Sequence, residues 1–171
     1  SQQSNRRYIE TQIQRVLQEC RRNDSFSGLM LLDLDNFKFV NDAHGHHIGD
    51  VLLKQFGMRL KDTLRPMDCV SRIGGDEFLV LFDSYFASEE QCVESLMVVV
   101  DRVCEQMVEA FVIDRVIRVN IKPSIGVLTF GKDAKGFKEL MTYVDLAMYS
   151  NKANRLQKYR FFDQSLLDEF K

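Results

Sequence analysis

At 171 residues, with 45% hydrophobic and 28% charged side chains, the chain has the composition of one globular domain able to build its own core, not that of a disordered segment. Its 23 basic and 25 acidic side chains leave a net charge of −2, so no global positive field gathers a nucleic acid polymer, although a local basic pocket for a small phosphate ligand stays open. Cys20, Cys69, Cys92 and Cys104 show no CxxC spacing and read as reduced thiols in a cytoplasmic setting, and apolar runs such as 96–100 fall far short of the ~20 residues that span a membrane.

In chain order, Tyr8, Ile9, Ile13, Val16, Leu17 and Cys20 share one helical face, which predicts a first helix with Ser4 or Asn5 as N-cap and an end near Asn23. The run GLMLLDLD at 28–35 is apolar until it turns acidic, the pattern of a buried strand delivering carboxylates to a sheet edge. Ile48, Leu52, Leu53, Phe56, Leu60 and Leu64 mark a second helix, stopped by Pro66. CVSRI and FLVLF are strands joined by GGDE, a four-residue connection in which glycine can supply positive φ and Asp76 and Glu77 stand at a hairpin tip. Ser88 and Gln91 form a capping box for a helix carrying Val93, Leu96, Met97, Val100, Val103, Cys104 and Met107. Strands follow at 111–121 and 124–130, with Pro123 at a strand start, an edge or a bulge. A helix carrying Phe137, Leu140, Met141, Val144, Ala147 and Met148 and a short strand at YRFF complete the order αβαββαββαβ, a single α/β sandwich without repeat or linker.

Taken alone, Asp33 and Asp35 read as turn and cap acids, and GGDE as a plain hairpin. Their combination carries more, because a strand ending in Asp33 and a tip bearing Asp76 and Glu77 can converge at one edge of one sheet. Carboxylates that repel in water become complementary around Mg²⁺, which takes a few of them together with substrate phosphates. Two such ions activate an attacking hydroxyl and neutralise the phosphate it attacks. His44, His46 and His47 do not make a zinc site, since no matching Cys or His pair lies elsewhere; His44 reads as a structural hydrogen-bonding residue.

GGDEF at 74–78, DLDNFKFVND at 33–42, HGHHIGD at 44–50, SIG at 124–126 and NRR at 5–7 together resemble the GGDEF domain, the diguanylate cyclase family, in order and over nearly the whole chain. The resemblance implies an α+β sandwich with a palm-like, mostly antiparallel sheet flanked by helices, related to nucleotide cyclase and polymerase palm domains. It implies condensation of two GTP into cyclic di-GMP and two pyrophosphates, with one GTP per domain and hence a homodimer for catalysis. It further implies two Mg²⁺ or Mn²⁺ ions per site, held by Asp33, the Leu34 carbonyl, Asp76 and Glu77. Asp76 or Glu77, with Asp76 preferred, would take the 3′-hydroxyl proton. Lys38 would pair with phosphate, and the amides around Asn36 and Phe37 would hold the terminal phosphates. Asn41, His46 and Asp50 resemble the guanine pocket: an acceptor-only Asp suits guanine's N1 and N2 protons, which adenine lacks.

Two stretches set this chain apart or add to it. After DLAMYSNK at 145–152 the family carries a glycine and then an arginine; here Lys152 fits, but Arg155 stands at the glycine and Leu156 at the arginine. Arg155 is a candidate to reach the phosphates from one residue away; the alternative is a catalytically weak or inactive module binding GTP or cyclic di-GMP. RPMD at 65–68 resembles the family's RxxD inhibitory product site, which assigns Arg65 and Asp68 to cyclic di-GMP. Residues 1–171 are then one catalytic output domain, excised from a longer multidomain sensor protein.

Overall fold

The structure, a computed structural model, describes residues 2–169, with side chains from Asn5 onward. Helix α1 (Gln2–Asn23) begins ahead of its expected caps, so Ser4 and Asn5 lie within the helix and not at its N-cap. Strand β1 (Phe26–Leu34) is the centre of the fold, buried at every position after the first. It pairs antiparallel with β3 (Glu77–Phe86) on one side and β6 (Pro123–Phe130) on the other. Short β2 (Cys69–Arg72) extends the sheet beyond β3, and β7 (Arg160–Phe161) adds a parallel edge beyond β6, giving the order β2-β3-β1-β6-β7.

Strand periodicity divides the core in two. Met30, Leu32 and Leu34, with Phe78, Val80, Phe82, Ile125 and Val127, pack under α3 (His46–Thr63) and α4 (Glu89–Met107). Leu29 and Leu31, with Leu79, Leu81 and Leu128, pack under α1 and α5 (Phe137–Ala153). Phe56 locks α3 down, its ring 5.2 Å from Phe78 and 6.0 Å from Phe111. Ser88 caps α4 by accepting the Gln91 N–H at 3.2 Å.

The palm-like sheet matches the sequence expectation, with four differences of detail. The second expected helix is α3, and an additional helix, α2 (Phe37–His44), precedes it, separated from it by Gly45 at φ 91°. The stretch 111–121 is a separate hairpin of β4 (Phe111–Ile113) and β5 (Ile117–Val119), turning on left-handed Asp114 and Arg115. YRFF contributes only two residues to β7, and a last short helix, α6 (Ser165–Glu169), follows. Gly74 and Gly75 do not take positive φ; among the described glycines only Gly45 and Gly136 do.

Gly126 explains the SIG stretch. It faces α5, where a Cβ would lie 2.6 Å from Val144 O and 2.8 Å from Met148 Cα, so only glycine lets the helix settle this close to β6.

Candidate active site

The site grows from the exit of β1. Asp33 pairs in register with Glu77 of β3 on one side and Ser124 of β6 on the other, and opposite residues of an antiparallel pair share a face. Both acids therefore continue the Leu29–Leu31 side of the sheet, under α1 and α5. One residue on, the Leu34 N–H donates to Asp76 O at 3.0 Å, which clips the hairpin tip to the end of β1. Ile73 N–H donates to Glu77 O at 3.0 Å and closes the tip.

The tip owes its shape to arginines instead of glycine φ angles. Arg72 Nε donates to Gly74 O at 3.2 Å and Gly75 O at 3.0 Å, and its Nη2 to Gly75 O at 2.7 Å. From α1, Arg6 Nη1 donates to Ile73 O at 3.0 Å. With these carbonyls gathered inward, a Cβ on Gly75 would meet nothing within 4 Å, whereas one on Gly74 would lie 3.0 Å from Glu77 Oε1. The bend thus presents open space beside its carboxylates.

The electrostatics are those of crowded acids. Burial, the charge of Asp33 and a hydrogen bond with Asp33 push the Asp76 carboxyl up from the ordinary range, against a smaller opposing pull from Lys152. Burial and then Asp33, Asp145 and Asp76 raise Glu77, while Arg6 lowers it. Asp145 of α5 is raised by burial and by Asp33. Among the described residues the direct counter-charge is Lys152, whose Nζ lies 2.9 Å from Asp33 Oδ2 and whose own pKa rises through that bond.

Asp33 is buried, and its Oδ1 has no hydrogen-bond partner. Leaving such an acceptor empty is costly, and a hard cation satisfies it. Among the described residues no three His, Cys, Asp or Glu side chains form a ready-made metal cage. A site of two or three carboxylates and a carbonyl, completed by phosphate oxygens, is the kind Mg²⁺ uses, and the donor set here fits it.

Beyond Leu34 the chain turns sharply. Asn36 takes the left-handed conformation at φ 61°, which Asn tolerates better than most residues, and its side chain makes no cap hydrogen bond. Val40 N–H is bonded to Asn36 O at 3.3 Å, so the amides of residues 37–39 form the unpaired first turn of α2. Lys38 is exposed beside them. Asn41 is half-buried with its Oδ1 unpartnered, packed against Gly49 at the α2–α3 crossing. His46 and Asp50 are exposed one turn apart on α3, on the same side of the helix. The His44 side chain is exposed and has no hydrogen-bond partner among the described residues, contrary to its expected structural role. His47 lies 3.9 Å from Asp114 at the surface.

The end of α5 approaches from the other side. Buried Asn151 accepts the Ile125 N–H at 2.9 Å and donates to Gln157 O at 2.9 Å, which ties the helix exit to β6. Lys152 is thereby held at Asp33, while Arg155 pairs with Asp35 and Leu156 stands 95% exposed. Asp145 and Lys152, two helical turns apart, face the same acids, a spacing that sequence reading could have used. Arg72 and Asn151 act on main-chain groups, which no side-chain motif reveals.

Arg65 and Asp68 lie apart from this cluster. Asp68 is buried and accepts the Arg65 N–H at 3.1 Å and the Asp83 N–H at 3.2 Å, so its carboxylate organises the turn. Arg65 Nη2 lies 3.4 Å from Asp68 Oδ1 and also bonds Ser84 Oγ. The two border a cavity of about 270 Å³ floored by Phe82 and Phe86, with Arg102 of α4 on its wall.

Comparison with known proteins agrees with this geometry. The family model for the diguanylate cyclase GGDEF domain matches residues 1–158. The chain is 32% identical over 162 residues to the bifunctional diguanylate cyclase/cyclic di-GMP phosphodiesterase MucR of Pseudomonas aeruginosa, covering 95% of this chain and 23% of that protein. It is 32% identical over 148 residues to the probable diguanylate cyclase DgcC of Escherichia coli, covering 86% and 38%. The chain therefore spans well under half the length of these curated relatives. The solved GGDEF domain of PA1120 (YfiN or TpbB) from Pseudomonas aeruginosa superposes with a TM-score of 0.82 at 28% identity, over 92% of this chain and 95% of that one. By sequence, fold and the placement of its acids, the chain belongs to the diguanylate cyclase GGDEF-domain family.

Proposed function

We propose that this domain is a diguanylate cyclase that condenses two GTP molecules into cyclic di-GMP with release of two pyrophosphates. The observation that carries the proposal is the junction of β1 with the hairpin tip, where the Leu34–Asp76 backbone bond brings Asp33, Asp76 and Glu77 together and leaves Asp33 Oδ1 unpartnered. Asp33, the Leu34 carbonyl, Asp76 and Glu77 would hold two Mg²⁺ or Mn²⁺ ions. Such ions, when bound, supply Lewis acidity at the attacking hydroxyl and at the phosphate.

The chain's own groups do the rest. The free amides at the start of α2, around Asn36 and Phe37, hold the terminal phosphates, as helix N-termini do for anions, with Lys38 and Lys152 as the nearby cations. Asn41 offers an unpartnered buried oxygen and Asp50 an exposed carboxylate to guanine, with His46 beside them. Asp76, clipped by its backbone to the end of β1 beside Asp33, accepts the 3′-hydroxyl proton. The O3′–Pα bond forms as the bond from Pα to the pyrophosphate oxygen breaks. One domain holds one GTP, so two copies meet face to face for each bond. Incubation with GTP and Mg²⁺ should give cyclic di-GMP and pyrophosphate in a ratio of one to two; absence of both, even when two copies are forced together, refutes the proposal.

A second reading is favoured by one observation: Leu156 stands exposed where the family carries arginine. On that reading the domain binds GTP or cyclic di-GMP and regulates without turnover, and calorimetric binding with no product from a tethered dimer would select it. Product inhibition is the finer part of the proposal. Arg65 and Arg102, on the walls of one cavity with a phenylalanine floor, suit an anionic, planar ligand such as cyclic di-GMP. Arg65→Ala should raise the concentration of added cyclic di-GMP needed for half inhibition. A cytoplasmic location within a longer sensor protein fits this activity, and among the described residues no helix is long and apolar enough to cross a membrane.

A further inference from the structure

Arg155 stands where the chain departs from its family's pattern, and its surroundings are specific. Its Nη1 donates to Ser124 Oγ at 2.8 Å, and its Nη2 bonds the Asp35 carboxylate and donates to Lys122 O at 3.3 Å. Ser124 Oγ in turn donates to Asp35 Oδ1 at 2.7 Å. The three side chains close a ring that joins the exit of α5, the second residue of β6 and the turn from β1 into α2. Ser124 is fully buried, and the Asp35 side chain is only 15% exposed.

Asp35 directly precedes Asn36, the left-handed residue that starts α2. The helix has eight residues and no side-chain cap, so nothing in its own first turn fixes that entry. The ring does so from outside. Both Nη groups of Arg155 are engaged, and moving the guanidinium toward a ligand would break its bonds to Ser124, Asp35 and Lys122 O. It would also leave Asp35 without its cation in a region already crowded with Asp33 and Asp76.

We propose that Arg155 is a positioning residue: through Asp35 and Ser124 it sets the β1–α2 turn and the amides of residues 37–39, and it does not itself bind phosphate. Lys152, with one bond to Asp33, can exchange onto a ligand. The inference rests on the reading of this turn as the triphosphate site.

The test uses the whole chain as wild type, Arg155→Ala, Asp35→Asn and the double variant, with folding of each checked by circular dichroism. Hydrogen exchange without nucleotide should show residues 34–40 exchanging at least severalfold faster in both single variants; unchanged exchange overturns the clamp whatever the nucleotide does. Binding of α,β-methylene GTP with Mg²⁺ should weaken about tenfold in each single variant, the size of one charge-assisted hydrogen bond, and no further in the double. Binding of GMP should change far less. Tighter α,β-methylene GTP binding by Asp35→Asn alongside weaker binding by Arg155→Ala would identify Arg155 as a phosphate ligand released from Asp35, and would overturn the inference. Failure of the wild type to bind the analogue would refute the triphosphate reading, and the exchange data would then decide the clamp alone.

Discussion

Replacing Gly126 with alanine probes how closely α5 must lie on the sheet for the site to form. The added Cβ would fall 2.6 Å from Val144 O, 2.8 Å from Met148 Cα and closer still to Met148 N, all backbone atoms that cannot rotate aside. Ordinary contact begins near 3.4 Å, so α5 must lift by roughly 0.8 Å before the clash with Val144 is relieved. Gly126 does not take positive φ, so strain from the new side chain's own backbone plays no part. Overpacking of this kind costs about 1–3 kcal/mol of stability. The same lift moves Asp145, Lys152 and Arg155, and misplacement near 1 Å can cost ~10²-fold in rate. Urea unfolding measures the first effect and cyclic di-GMP formation from GTP the second. Both losses are predicted, the loss of rate exceeding what the unfolded fraction explains, while Gly75→Ala, whose Cβ meets open space, keeps the parent's stability. A Gly126→Ala domain as stable and as active as the parent would refute the argument from close packing.

Asp76→Ala should abolish turnover yet leave the thermal midpoint at or above the wild-type value, because it removes a carboxylate that its neighbours penalise; retained turnover would exclude Asp76 from the chemistry. Lys152→Met opens the Asp33 carboxylate, so Mn²⁺ binding to the nucleotide-free chain, read by electron paramagnetic resonance, should tighten while α,β-methylene GTP binding weakens; unchanged Mn²⁺ affinity would show that the lysine and the cation do not compete. Glu77, Asp76 and Asp145 all bind their protons more tightly folded than unfolded. The stability this gives is complete below the ordinary carboxylate range near pH ~4 and is lost as pH rises through the raised folded values. Asp145→Asn should therefore stabilise the nucleotide-free chain increasingly across that window, in denaturation followed from acid to neutral pH; a pH-independent difference would contradict it.

The central strands and long helices were legible because their periods are strong: 28–35 is apolar until its acids, and 88–107 repeats with a capped helical face. Helix α2 was not, since Val40 is the one buried position among its eight residues and no apolar period shows. The β4–β5 turn was hidden because Asp114 and Arg115 are not the glycine or asparagine that usually mark two left-handed positions. In the site, Asp33, Asp76 and Glu77 could be found because carboxylates at a strand exit and a bend are conspicuous. The positive φ that glycine can supply is not used at Gly74 or Gly75, where Arg72 shapes the tip through carbonyl oxygens. The Arg155–Asp35–Ser124 ring depends on three segments distant in sequence, and only the sheet order brings them together.

The most direct measurement is anomalous diffraction from crystals of the domain soaked with Mn²⁺ and α,β-methylene GTP. Density for the ion between the Asp33 and Asp76 carboxylates, with the triphosphate running to the first turn of α2, is the predicted result. Nucleotide bound away from these two acids, or an ion that touches neither, would contradict it.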